Sequence, residues 1–210
     1  MKKFLALLLA VAMTLALVAC GGNSANNSNS GDADSTGSEG GDTIKIALIA
    51  NTTGDYAQYG IPVRNGAMLY IDELNANGGI NGKQVEVLEY DDKGDGVEAV
   101  NAFNLAMDQG ITAVIGSVLT SPTITLADAT YEVNMPQISA SATAQGVTQI
   151  DPEDESAGIR TNVFRSCFID PFQGQTMAHY ASEKLGATTA AILYESGSDY
   201  SEGCMNGFVE

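Results

Sequence analysis

Basic residues are scarce in this chain: nine Lys and Arg stand against 26 Asp and Glu, a formal net charge of −17 over 210 residues. Clustered cations are what hold a phosphate backbone, so a nucleic-acid partner is not expected. The acidity fits a solvated surface. Histidine is nearly absent. The single one, His179, falls mid-helix in "QTMAHYASEKL" and reads as a surface or packing residue rather than a base. There is no Ser, His, Asp ordering, no metal-ligand cysteine spacing and no phosphate-cradling GxxxxGK. The sequence therefore offers no catalytic residue, no metal ligand set and no cofactor. "YDDKGD" at 90–95 is acidic but lacks the alternation of a calcium loop, and is expected to be a solvated turn.

Cysteine is limited to three positions, and one of them closes a targeting device. Lys2 and Lys3 precede the apolar run "FLALLLAVAMTLALVA", which ends at Cys20. The run is short and stops at small residues, so it is expected to be an export signal over 1–20 rather than a spanning helix. Its ending "LVAC" resembles the lipobox of bacterial lipoproteins, which implies lipid modification of Cys20. Residues 21–42 are Gly, Ser, Asn and Asp with little to bury, and are expected to form a flexible tether. Stretched, that tether reaches roughly 70 Å; relaxed, it spans about 26 Å. Cys167 and Cys204 remain. In an exported protein they have the option of pairing, although one ends a strand pattern and the other opens a helix pattern.

With 44% hydrophobic side chains, the chain has ample material for a core. Past the tether, short apolar runs alternate with amphipathic stretches. Strands are predicted at 44–50, 84–90, 112–116, 136–140, 163–167 and 190–195. Helices are predicted at 60–76, 96–108, 122–133, 172–184 and 200–210, with Ala67, Met68, Ile71 and Leu74 on one stripe of the first. Repeated strand–helix–strand units imply right-handed crossovers and a parallel α/β sheet covered on both faces.

In such sheets ligands bind beyond the carboxyl ends of the strands. Three of these ends stand out: "TTGDYAQYG" after the first strand, "SVLTSPT" after the third and "ASAT" after the fourth. Thr120 or Ser121 can cap a helix whose first position is Pro122, leaving N–H groups that favour an anion. Thr120 and Ser121 also suffice as ordinary caps, and Ser141 and Thr143 as ordinary turn residues. Their shared placement at strand ends is what favours a site.

The segments "IKIALIANTTGDYAQYG", "GAMLYIDELNANGGINGKQVEVLEYDD", "AVIGSVLTSPT", "MPQISASAT" and "AILYESGSDYSEG" together resemble the extracellular solute-binding proteins of ABC uptake systems, of the branched-chain amino-acid type. The resemblance runs from about residue 44 to 210 in order and spacing. It implies a type I periplasmic-binding-protein-like clamshell: two doubly wound lobes closing on a ligand, with the first lobe over 43–168 and an incomplete second lobe over 169–210. Thr120 and Thr143 would donate to a ligand α-carboxylate, and the Ser141 carbonyl would accept from its ammonium. Tyr59 and Tyr200 would line the cleft, one from each lobe. Tyr56 has no match and is left as a turn or rim residue.

The implied function is capture of a small zwitterion, most simply an amino acid, and its delivery to a membrane permease from a lipid anchor. A signalling receptor built on the same clamshell is the alternative. Amino-acid-binding members carry a disulfide between two loops, and here those positions are Gly94 and Leu119. The chain also stops in "MNGFVE", inside a helical pattern and after one strand of the second lobe, so it is expected to be part of a longer protein.

Overall fold

A parallel sheet organises residues 43–210, the part of the chain that the computed structural model describes. The export leader, Cys20 and the tether lie outside the described residues. Five strands are ordered β2-β1-β3-β4-β5, where β1 is Ile44–Ala50, β2 Val85–Asp91, β3 Ala113–Ile115, β4 Gln137–Ser139 and β5 Val163–Arg165. Every pairing is parallel, with Ile46↔Val87 and Ile46↔Ala113 setting the register on either side of β1. β1 is an interior strand and its last four residues are buried, which is why it reads as a continuous apolar run.

The helices are α1 (Ala57–Ala76), α2 (Gly96–Asp108), α3 (Thr120–Glu132), α4 (Asp170–His179) and α5 (Asp199–Val209). The strand order reverses direction after β2. Right-handed crossovers therefore put α1 on one face and α2 with α3 on the other, and α2 and α3 pack against each other. Asp95 starts α2 by accepting hydrogen bonds from the N–H groups of Val97 (2.8 Å) and Glu98 (3.0 Å) through Oδ1. Ala99, Ala102, Phe103 and Ala106 then recur at helical spacing and are buried with Ile49, Val114 and Leu126. Small alanines let α2 lie close to the sheet while Phe103 fills the gap, a burial contributing about 2–3 kcal/mol. A second cluster, Ala127, Ala142, Val147 and Val163, seals α3 against β5 and the turn after β4.

The predicted strand at 190–195 does not form: those residues have no ladder partner, and Leu193 is fully exposed. An apolar run becomes a strand only where a neighbour completes its hydrogen bonds, and no described strand pairs with this one. The predicted helix at 172–184 starts earlier and ends differently, as α4 followed by a π-helical turn over Tyr180–Lys184. α4 and α5 are held together through glycines. A side-chain carbon on Gly174 would lie 2.3 Å from the Cys204 carbonyl oxygen, and one on Gly207 2.6 Å from Pro171 Cα. Backbone packs on backbone there, so hydrophobic periodicity gives no sign of the contact.

Candidate functional site

The carboxyl ends of β1, β3 and β4 point to one edge of the sheet because all strands run in parallel, and the turns that follow carry Tyr59, Thr120, Ser141 and Thr143. β1 and β3 are neighbours with connections leading in opposite directions, the arrangement that opens a crevice at the sheet edge.

The turn after β1 is pinned at both ends. Asn51 is buried and donates from Nδ2 to the Tyr56 carbonyl (2.6 Å). Asp91 accepts from the Thr52 N–H (2.9 Å) and the Thr53 hydroxyl (2.5 Å). Tyr59 follows in the first turn of α1, with 55% of its surface exposed.

The turn after β3 is buried through Ser117 and Val118. The Ser117 hydroxyl bonds to Asp92 and the Ser117 carbonyl accepts from the Ser139 hydroxyl (2.7 Å). α3 starts at Thr120 with Leu119 at the cap position and no side-chain capping bond. The expected cap by Thr120 or Ser121 is therefore absent, since both already lie within the helix. Ser121 donates instead to Asp199 (3.2 Å). The Thr120 hydroxyl, nearly buried, has no hydrogen-bond partner among the described residues.

Ser141 donates to the Val118 carbonyl (2.7 Å), which joins the turns after β3 and β4. Two residues on, Thr143 is buried beside Asp170, whose N–H donates to the Thr143 carbonyl (3.2 Å). Arg165 closes this turn: Nη1 donates to the carbonyls of Thr143 (2.9 Å) and Ala144 (2.7 Å), and Nη2 to the Thr148 hydroxyl (2.8 Å). Arg160 does the same further along, bonding the Gly146 carbonyl (2.7 Å) and Asp128 (2.5 Å). Neither arginine stands out in the sequence, because their partners are mostly backbone carbonyls.

Thr120, Ser141 and Thr143 thus share one set of interlocked turns, and the Ser121–Asp199 bond brings the start of α5, with the half-exposed Tyr200, to the start of α3. Tyr59 shares the sheet edge but has no hydrogen bond to the others. The positions expected to have lost a disulfide do meet: a side-chain carbon on Gly94 would lie 3.0 Å from Leu119 Cδ1, with the Tyr56 ring 4.0 Å away. Cys167 and Cys204 are both free, and burial pushes both thiols up. A groove of about 440 Å³, lined in part by Tyr200, lies between α4, α5 and residues 191–194.

The acidic turn at 90–95 spends its carboxylates on protein donors, Asp91 and Asp92 as above and Asp95 as the cap of α2. No three His, Cys, Asp or Glu among the described residues are placed to hold a metal. His179 is exposed, 3.5 Å from Glu183.

Burial pushes the Asp92 carboxyl up, against the opposing pull of the Ser117 hydroxyl and the Gly94 N–H. Burial likewise pushes Asp170 up, opposed by Thr143, Cys204 and Arg165. For Asp91 burial also acts upward, but the Thr53 hydroxyl and the N–H groups of Lys93, Thr52 and Thr53 outweigh it and the net direction is down. Where the folded pKa is raised, the folded protein binds the proton more tightly than the unfolded chain. That contribution is complete below about pH 3.9 and is lost as pH rises through the folded value. Asp92→Asn is therefore expected to raise the urea midpoint at pH 7, with the gain shrinking towards pH 4. A gain that does not change with pH would contradict the burial argument.

A family description, periplasmic binding protein, matches residues 43–209. Among characterised relatives, the leucine-, isoleucine-, valine-, threonine- and alanine-binding protein of Pseudomonas aeruginosa is 36% identical over 77% of this chain and 41% of its own. The Leu/Ile/Val/Thr-binding protein of Salmonella typhimurium is 34% identical over 77% of this chain and 42% of its own. Among solved structures, the branched-chain amino acid transporter substrate binding protein LivJ of Streptococcus pneumoniae, in complex with isoleucine, superposes with a TM-score of 0.72. It is 34% identical over 80% of this chain and 46% of that one. The leucine binding protein LivK of Thermotoga maritima gives 0.70 at 32% identity, over 80% and 45%. The chain spans about two fifths of the length of the curated relatives it matches.

Proposed function

Because the chain belongs to the periplasmic binding protein family, we propose that it is the ligand-capturing part of an ABC uptake system, taking a small zwitterion, a branched-chain or related amino acid, between two lobes. Support comes from the shared sheet edge: the turns after β3 and β4 are joined by the Ser141–Val118 bond and offer hydroxyls and a helix N-terminus, with no side-chain cation among Thr120, Ser141 and Thr143. A zwitterion loses several kcal/mol on burial unless both charges are hydrogen-bonded. Uncharged donors at a helix start can satisfy the carboxylate.

In this reading Thr120 and Thr143 hold the carboxylate, the Ser141 carbonyl accepts from the ammonium, and Tyr59 and Tyr200 wall the side chain. The first lobe would span 43–168 and the second would begin at 169. Cys20 would carry the lipid anchor and residues 21–42 would form the tether, holding the protein outside the cytoplasm at the membrane, with an ABC permease in that membrane as its partner. The relatives are binding proteins of transport systems, so the role is binding rather than catalysis.

A thermal-shift screen of the complete two-lobe protein against neutral amino acids tests the class, since a ligand that binds only the folded state raises the melting temperature. With L-isoleucine as probe, Thr143→Ala is expected to weaken binding by more than about 1 kcal/mol. No shift with any neutral amino acid removes the ligand class, and an unchanged dissociation constant removes the role of Thr143.

A further inference from the structure

The turns after β1 and β3 leave the sheet in opposite directions, yet both are gripped from a single point. At the end of β2, Asp91 faces the turn after β1: its Oδ1 accepts from the N–H groups of Thr52 (2.9 Å) and Thr53 (3.4 Å), and its Oδ2 from the Thr53 hydroxyl (2.5 Å). The next residue, Asp92, faces the turn after β3. It is fully buried, takes the Ser117 hydroxyl on Oδ2, and accepts from the Gly94 N–H (2.9 Å) on Oδ1. Successive residues of an extended chain point in opposite directions, which lets neighbours serve two different turns.

We propose that Asp91 and Asp92 are the positioning residues of the ligand face, a two-carboxylate clip at the end of β2 that fixes the turn bearing Tyr59 relative to the turn bearing Thr120. The backbone ties around the clip are short. The Asp92 N–H donates to the Ala50 carbonyl (3.3 Å), the Lys93 N–H bonds back to Asp91 (3.0 Å), and the Asp95 N–H donates to the Asp92 carbonyl (2.8 Å). The clip therefore has little freedom of its own, and it passes the position of one turn to the other across β1. The two carboxylates are not equivalent. Asp91 is half-buried and works as a charge among N–H donors, whereas Asp92 is sealed and burdened by its charge. An amide can replace the second, donating to Ser117 and accepting from Gly94, more readily than the first.

The inference rests on the reading that these turns contact the ligand, so its test has an arm that needs no ligand. In the full chain, ¹⁵N relaxation reports order in each turn. Asp91→Ala is expected to drop the order parameters of Thr52 and Thr53 below about 0.6, and Asp92→Ala those of 117–119, with Ala102 and Phe103 in α2 staying near about 0.85. With L-isoleucine as probe, each variant binds at least about tenfold more weakly, about 1.4 kcal/mol. Asp92→Asn recovers most of that loss, and Ser117→Ala, which cuts the same link from the other side, reproduces Asp92→Ala if the latter fails to fold.

Turns that stay ordered in the variants overturn the proposal. So does loosening that spreads equally into α2, because that marks a general loss of stability. If the complete two-lobe protein does not bind isoleucine, the ligand reading falls, and the order parameters alone decide whether the clip exists.

Discussion

Gly116→Ala is expected to remove several kcal/mol, a large share of the stability of the fold. Gly116 sits at the end of β3 with φ 132°, a backbone conformation that side-chain-bearing residues rarely adopt. A side-chain carbon there would lie 2.1 Å from the Ile49 carbonyl oxygen, well inside contact distance. That oxygen belongs to β1, the most buried strand, which pairs with β2 on one side and β3 on the other. Relief requires β1 or β3 to move, and either move breaks a ladder. Backbone strain costs about 1–3 kcal/mol and overpacking a further 1–3 kcal/mol. A domain has only about 5–15 kcal/mol in total.

Gly110→Ala supplies the control. Gly110 also has positive φ, 76°, but a side-chain carbon there meets nothing within 4 Å. Its cost is the conformational term alone, about 1–2 kcal/mol. Urea midpoints should therefore fall modestly for Gly110→Ala and much further for Gly116→Ala. Equal losses would mean that backbone conformation, and not the approach of β1, makes glycine necessary at 116.

These two glycines illustrate what the sequence discloses and what it does not. Local pattern carries most of the fold: β1 and α2 are legible residue by residue, since apolar runs and helical spacing report burial directly. Asp95 is recognisable as a cap only with hindsight, because it sits in an acidic turn that reads equally well as solvated. Long-range polar contacts leave no periodic trace. Arg165 meets carbonyls about twenty residues earlier in the chain, and a carbonyl looks the same whatever residue bears it. The segment at 190–195 shows the converse failure. Its composition is that of a strand, but strand formation depends on a neighbouring strand, and no described strand pairs with it.

The candidate site divides along the same line. Thr120, Ser141 and Thr143 were identifiable as hydroxyls at strand ends, and the topology puts them on one edge. What sets their spacing, Asp91, Asp92 and Arg165, was not identifiable, because a residue that acts through another carries no signature of its own.

Arg165→Met tests the strongest of these indirect roles and is expected to cost about 3 kcal/mol or more, from hydrogen bonds to a charged group. Methionine keeps much of the stem but none of the donors. It would leave the carbonyls of Thr143 and Ala144, both on nearly buried residues, without the guanidinium that gathers them. A hydrogen bond to a charged group contributes about 1.5–3 kcal/mol, so losing two or three is enough to loosen the turn that bears Thr143. Arg165→Lys should restore only part of the loss, since one ammonium cannot span acceptors from Ala142 to Thr148.

The same substitution has a signature in pH. Burial holds the Asp170 carboxyl up, while Thr143, Cys204 and the Arg165 charge pull it back. Without Arg165 the folded pKa of Asp170 rises further above its unfolded value. The stability tied to its proton is then complete at low pH and disappears as pH climbs through that higher value. Measured by urea midpoint, the deficit of Arg165→Met should be smaller at pH 5 than at pH 7. A deficit of the same size at both would show that Arg165 acts on the turn through its carbonyl contacts alone and leaves Asp170 untouched.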